Sequence, residues 1–169
     1  MVFFRVKKIK GNDYAYLVEN EWKRKSSKQK VKGYLGRGFK FNLVNDDSFS
    51  SFKKIGNMEN YVKEKKQNEI IFDLIEWELF KNGVNKEEFQ VDLSSHKVQK
   101  NKKDVVLLIN DGFMCGLTLK NLFNFKPSGD EQDDGFLLAR AFVETGIKIP
   151  QEIFIGLFGK LYIRQEGQF

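Results

Sequence analysis

Cysteine and histidine each occur once in the 169 residues, as Cys115 and His96. A lone cysteine cannot close an intramolecular disulfide, and one Cys with one His cannot complete a four-ligand zinc site. Cys115 also lies in an apolar stretch, which fits a reducing compartment. No apolar run reaches the roughly 18 residues that a membrane helix needs, and Met1 to Lys10 is too charged to read as a signal peptide. These absences predict a cytoplasmic protein with no membrane partner, no metal and no cofactor. What is present suits a folded globular chain: 41% hydrophobic residues, 17 Phe and 31% charged residues, at a length that supports one main core.

The net charge of +6 is unevenly placed. Residues 1–40 hold twelve Lys or Arg against Asp13, Glu19 and Glu21, whereas the remaining 129 residues hold seventeen bases against twenty acids. The positive field therefore belongs to the N-terminal quarter.

Residues 3–9 read FFRVKKI and meet a turn signal at Gly11-Asn12-Asp13. Residues 14–22, YAYLVENEW, and residues 29–35, in which Val31 and Leu35 alternate with Lys30, Lys32 and Tyr34, read as two further strands. Residues 45–57 are polar, turn-rich and without period, and so read as a linker or loop. From Glu59 to Phe80 there is no Gly or Pro, and Ile71, Leu74, Ile75 and Leu79 recur at helical spacing before Gly83, which predicts one long helix. Phe89, Val91 and Leu93 alternate with polar residues, and Val105 to Ile109 meets Asn110-Asp111-Gly112 before apolar residues 113–119, which predicts a hairpin. After Pro127, the acids Asp130, Glu131, Asp133 and Asp134 suit the start of a helix over about 135–145, ended by Gly146. Pro150 opens a last helix with the stripe Ile153, Phe154, Leu157, Phe158 and Leu161.

The expected fold class is thus α+β: a basic three-stranded antiparallel meander (1–44) as a nucleic-acid-binding module, a linker or loop (45–58) where the domain boundary is expected, and an α+β domain (59–169) of a helix, a short antiparallel sheet and a C-terminal helical hairpin. Side chains alternate across a strand, so one face of the meander is expected to display Arg5, Lys7, Tyr14 or Tyr16, Lys30 and Lys32. Cations neutralise phosphates, and rings stack on bases or pack on sugars. The expected function is therefore non-catalytic nucleic-acid binding. Arg5, Lys7, Lys8, Lys10, Lys30, Lys32 and Arg37 are the candidate phosphate contacts, and Tyr14, Tyr16, Trp22 and Tyr34 the candidate ring contacts. Strand alternation requires about half of these to point elsewhere.

The same segment carries a resemblance. Gly11 followed by Tyr14, Tyr16, Val18 and Glu19, then Gln29, Lys30, Val31, Tyr34, Leu35 and Gly36, is similar to the N-terminal sheet of DDE-type insertion-sequence transposases. There a strand and Gly lead into Tyr-x-Tyr-x-Val-Glu, and the sheet closes with Gln-Lys-Val-x-x-Tyr-Leu-Gly. The resemblance covers about the first forty residues. It implies a DNA-associated module, tilting the partner from RNA toward DNA, and no shared chemistry, because nothing in 45–169 matches the family's nuclease domain.

Other constellations have plainer readings. Asp130-x-Gln132-x-Asp134-Gly135 begins like a calcium loop, but its twelfth position is Ala141, which cannot ligate. Asp73, Glu76 and Glu78 around Trp77 read as a solvated helix face. Cys115 and His96 read as a buried strand residue and a residue of a polar stretch, not a catalytic pair. Gly33, Gly36 and Gly38 lack the phosphate-loop spacing. The alternative to nucleic-acid binding is a protein-interaction or assembly factor acting through the Phe-rich C-terminal region, where Phe154, Phe158 and Phe169 could form a homodimer face.

Overall fold

The computed structural model describes residues 2–166. Three strands come first, β1 (Val2–Ile9), β2 (Asn12–Lys23) and β3 (Ser26–Lys40). They form the expected antiparallel meander. Lys10 and Gly11 both adopt positive φ between Ile9 and its partner Asn12, the two-residue turn whose twist matches that of the strands.

Residues 45–58, expected as linker, hold the short helix α1 (Phe49–Lys53). Ser48 accepts from the Ser51 backbone N–H, Phe49 is buried, and the Trp77 indole donates to the Asp47 carbonyl at 2.8 Å. The single long helix expected over 59–80 is in fact two, α2 (Met58–Glu64) and α3 (Gln67–Lys81). Lys65 and Lys66 are extended between them. The break is held from both sides: the Glu69 carboxylate accepts from the Lys66 N–H at 2.7 Å, and Tyr61 donates back to Asp73 at 2.6 Å. No Gly or Pro marks such a break, because side-chain caps and packing make it.

Strands β4 (Gln90–Asp92), β5 (Lys97–Lys100), β6 (Lys103–Ile109) and β7 (Gly112–Met114) follow. The Asn110-Asp111 turn has positive φ at both residues, as the hairpin reading requires. The apolar run at 113–119 does not continue as a strand. It becomes helix α4 (Gly116–Phe123), whose N-cap is Cys115, with Thr118 Oγ1 accepting from the Cys115 N–H at 3.1 Å. Helices α5 (Glu131–Thr145) and α6 (Gln151–Glu166) close the fold. They meet where the Phe158 ring lies against Gly135 and where the Tyr162 hydroxyl donates to Asp134. Among the described residues no helix is long and apolar enough to cross a membrane.

The strands join in one seven-stranded sheet in the order β1-β2-β3-β6-β5-β4, with β7 also on β6. The junction is the parallel pairing of β3 with β6, Arg37 to Lys40 against Val105 to Leu108. One sheet face, through Phe39, Val105, Leu107, Ile109 and Met114, enters the main core with Ile70, Leu74, Leu138, Phe142, Ile153 and Leu157. The other, through Ala15, Val106, Leu35 and Phe113, forms a small second core with Cys115 and Leu117. Phe154 and Phe158 are half-buried, stacked on one another and packed on the main core; Phe169 lies outside the described residues.

Gly36 fixes the junction sterically. Its φ is +135°, and a Cβ there would lie 2.6 Å from the Asp104 carbonyl oxygen. Gly36→Ala is therefore expected to destabilise the protein by about 2–4 kcal/mol, combining strained backbone with a backbone clash. A urea midpoint unchanged from wild type would contradict this.

The acidic start of α5 does two jobs. Asp130 caps the helix by accepting from the Gln132 and Asp133 N–H groups, whereas Asp134 is buried and accepts from Ser128 N, Ser128 Oγ, Gly129 N and Tyr162 Oη. Burial alone would raise the Asp134 carboxyl, but these donors outweigh it and hold the group at about 2. A depressed folded-state value contributes stability above the unfolded carboxyl range, near 3.9, and that contribution is lost as pH falls toward 2. The urea midpoint should fall across this window, and Asp134→Asn should flatten the fall.

Candidate nucleic-acid interface

Residues directly opposite one another in a sheet share a face, so the register identifies which candidates meet. Arg5 faces Tyr16 and Tyr16 faces Tyr34; Lys7 faces Tyr14 and Tyr14 faces Arg37. These six side chains lie on one face. The tyrosine rings form a cluster, with Tyr34 5.3 Å from Tyr16 and 6.4 Å from Tyr14 between ring centroids. The Lys7 ammonium lies 5.3 Å from the Tyr16 centroid, Arg37 bonds Asn12 at 2.7 Å, and Arg5 bonds Gln29. Arg5, Lys7, Tyr34 and Arg37 are exposed, Tyr34 by 58%. Partial burial and the neighbouring Tyr16 and Tyr14 raise the Tyr34 hydroxyl above its ordinary range, so it remains a neutral donor at physiological pH.

Two β-bulges in β3 create this convergence. The pairing shifts between Leu17 and Val18, and again between Ala15 and Tyr16, so that Val31, Tyr34 and Arg37, three residues apart instead of two, line up on one face. Plain alternation places Tyr34 with Lys30 and Lys32, and the bulges undo that. Lys30 is instead opposite Glu19 and pairs with Glu21 at 3.5 Å, and Lys32 pairs with Glu19 at 3.2 Å. Neither joins the tyrosine face. Lys8 lies opposite Asp13 on the reverse face, Lys10 sits in the β1–β2 turn, and Trp22, 82% exposed, stands at the far tip of the β2–β3 hairpin.

The tyrosine face continues onto residues that sequence reading missed. Beside Tyr34 and Arg37, a cleft of about 670 Å³ is lined by Phe39, Lys100, Asn101, Lys103 and the acid Asp104. Arg37 stands 5.0 Å from the Phe39 ring centroid; Lys100 lies 4.9 Å from both the Phe39 and Phe89 centroids and bonds Glu88. The lysine cluster at 97, 100, 102 and 103 was a visible signal, but averaging charge over the acidic remainder hides it. Only the parallel β3–β6 pairing brings it beside the meander.

The remaining candidates fall elsewhere. His96 stacks on Phe123 at 5.3 Å, while Cys115 is buried beside Thr118. Glu78, expected in solvent, is fully buried and accepts from Lys81 at 3.1 Å, Asn110 at 2.9 Å and the Lys148 N–H at 2.9 Å. Asp73 is likewise buried, bonded by Tyr61 and by Lys53 at 2.8 Å. Among the described residues no group of three or more His, Cys, Asp or Glu is placed to hold a metal ion. The chain matches no protein-family model, no curated protein and no solved structure.

Proposed function

We propose that the protein binds nucleic acid without catalysing a reaction, with Arg5, Lys7 and Arg37 on phosphates and Tyr14, Tyr16 and Tyr34 offering their rings. The observation that carries this reading is the convergence of these six residues on one face that continues into the Lys100–Lys103 cleft. A solubilising surface would not need aromatic rings gathered among cations, nor the acids of β2, Asp13, Glu19 and Glu21, kept to the opposite side of the strand. The transposase-like strand pattern favours DNA over RNA as the partner.

Binding to mixed-sequence oligonucleotides at ~50 mM salt should be measurable and should weaken linearly in log–log form as salt rises. Absence of binding, or a flat salt response, would refute the proposal. In that case the assembly-factor reading gains weight. It is supported by a separate observation, the exposure of Phe136, Leu137 and Val143 on α5 and Ile155 on α6.

A further inference from the structure

We infer that the ligand of this face is a single strand, which crosses the sheet from Arg5 and Lys7 over the tyrosine rings into the Lys100–Lys103 cleft; this rests on the nucleic-acid reading above. The order of side chains across the face carries the argument. Cations of β1 stand on one flank, the rings of Tyr14, Tyr16 and Tyr34 fill the centre, and Arg37, Lys100 and Lys103 stand on the other flank.

Aromatic rings on an open sheet contribute by stacking on bases, and in a duplex the base faces are hidden within the helix. Rings flanked on both sides by cations instead suit a strand whose bases are splayed onto the sheet while its phosphates reach the flanks. From β1 to β6 the face spans three inter-strand steps, roughly 14 Å, which a short run of nucleotides would cover. The cleft at the end, about 670 Å³ with Phe39 in its wall, is of a size that encloses one small organic group. An unpaired base with its phosphate on Lys103 matches that chemistry; Lys100 is already paired with Glu88, and Asp104 in the same wall accepts from Gln99. Trp22 lies off this route, at the hairpin tip.

Fluorescence anisotropy with labelled, unstructured single strands of DNA and RNA, compared with a duplex of the same length (about 20 nucleotides), tests the inference at ~50 mM salt. Single strands should bind about ten-fold or more tighter than duplex. Tyr34→Leu and, as a second variant, Tyr14→Leu should each weaken single-strand binding by about five-fold or more while Trp22→Ala changes it little. The urea midpoints of the three variants show whether each is folded. Salt-sensitive binding that is equal or tighter for duplex would overturn the single-strand inference and leave the nucleic-acid reading standing. Single-strand affinity unaltered in both tyrosine variants would also overturn it. Salt-sensitive binding to none of the three ligands would remove both.

Discussion

Replacing Glu78 by alanine is expected to lower the unfolding free energy by about 3–5 kcal/mol, the largest single-residue effect the structure predicts. The carboxylate is fully buried on α3, yet each of its oxygens is occupied: Lys81 and the Lys148 N–H reach Oε1, and Asn110 reaches Oε2. One residue thereby joins α3 to the β6–β7 turn and to the segment between α5 and α6. Truncation leaves the Lys81 ammonium, itself buried against the Trp77 ring at 3.5 Å from its centroid, without its anion. It also removes the acceptor of the Lys148 N–H and leaves the Asn110 amide with its bond to the Gly146 carbonyl. For a domain with a typical total stability of about 5–15 kcal/mol, such a loss brings the variant near the unfolding threshold. Glu78→Leu combined with Lys81→Met removes both charges together and should recover part of the loss. Urea denaturation measures both; a cost under about 1 kcal/mol for Glu78→Ala would show that the network contributes little.

The second large effect concerns binding. Changing Arg5, Lys7 and Arg37 together to alanine should reduce affinity for single-stranded nucleic acid by roughly 10²-fold or more at ~50 mM salt and lower the log–log salt slope by about 2. The comparison that gives this meaning is Lys30 and Lys32 changed to alanine. Those lysines are as basic and as close in sequence, but they pair with Glu21 and Glu19 away from the tyrosine face. Loss confined to the first set would locate binding on the face, whereas equal losses from both sets would indicate a response to overall charge alone.

That contrast marks what could be read from the sequence and what could not. The three N-terminal strands are legible from β-branched and aromatic content and from the turn at Gly11, and the C-terminal helices from Asp130, Gly146 and Pro150. Face assignment within β3 is not legible, because period-2 reasoning carries a single parity along a strand and a bulge resets it without a distinctive residue type. Gly33 and Gly36 stand near both resets, but as sequence they read equally well as loop glycines. The α2–α3 break is hidden in the same way. Lys65 and Lys66 are good helix formers, and their extended backbone is stabilised by Glu69 and by Lys160, which donates to the Lys63 and Lys65 carbonyls from α6. Glu78 looked like a surface residue because Asn110 and Lys148 come from far along the chain. Six of the eleven proposed contact residues gather at the tyrosine cluster, and the cleft lysines join them only through long-range pairing.

The parallel β3–β6 pairing has a further consequence, for how the chain reaches its fold. Arg37 pairs with Val105, nearly seventy residues later. During synthesis the meander therefore emerges with β3 as an open edge, its hydrogen-bonding groups without a neighbour until β6 has left the ribosome and the intervening helices have closed the loop. Non-local closure of this kind slows folding, and an uncovered edge is the part of a nascent sheet most exposed to pairing with another molecule. The lysines and arginine that crowd the β2–β3 hairpin would repel a second copy through that interval. Charge that lies off the proposed binding face in the finished protein would thus act earlier as a guard against self-association.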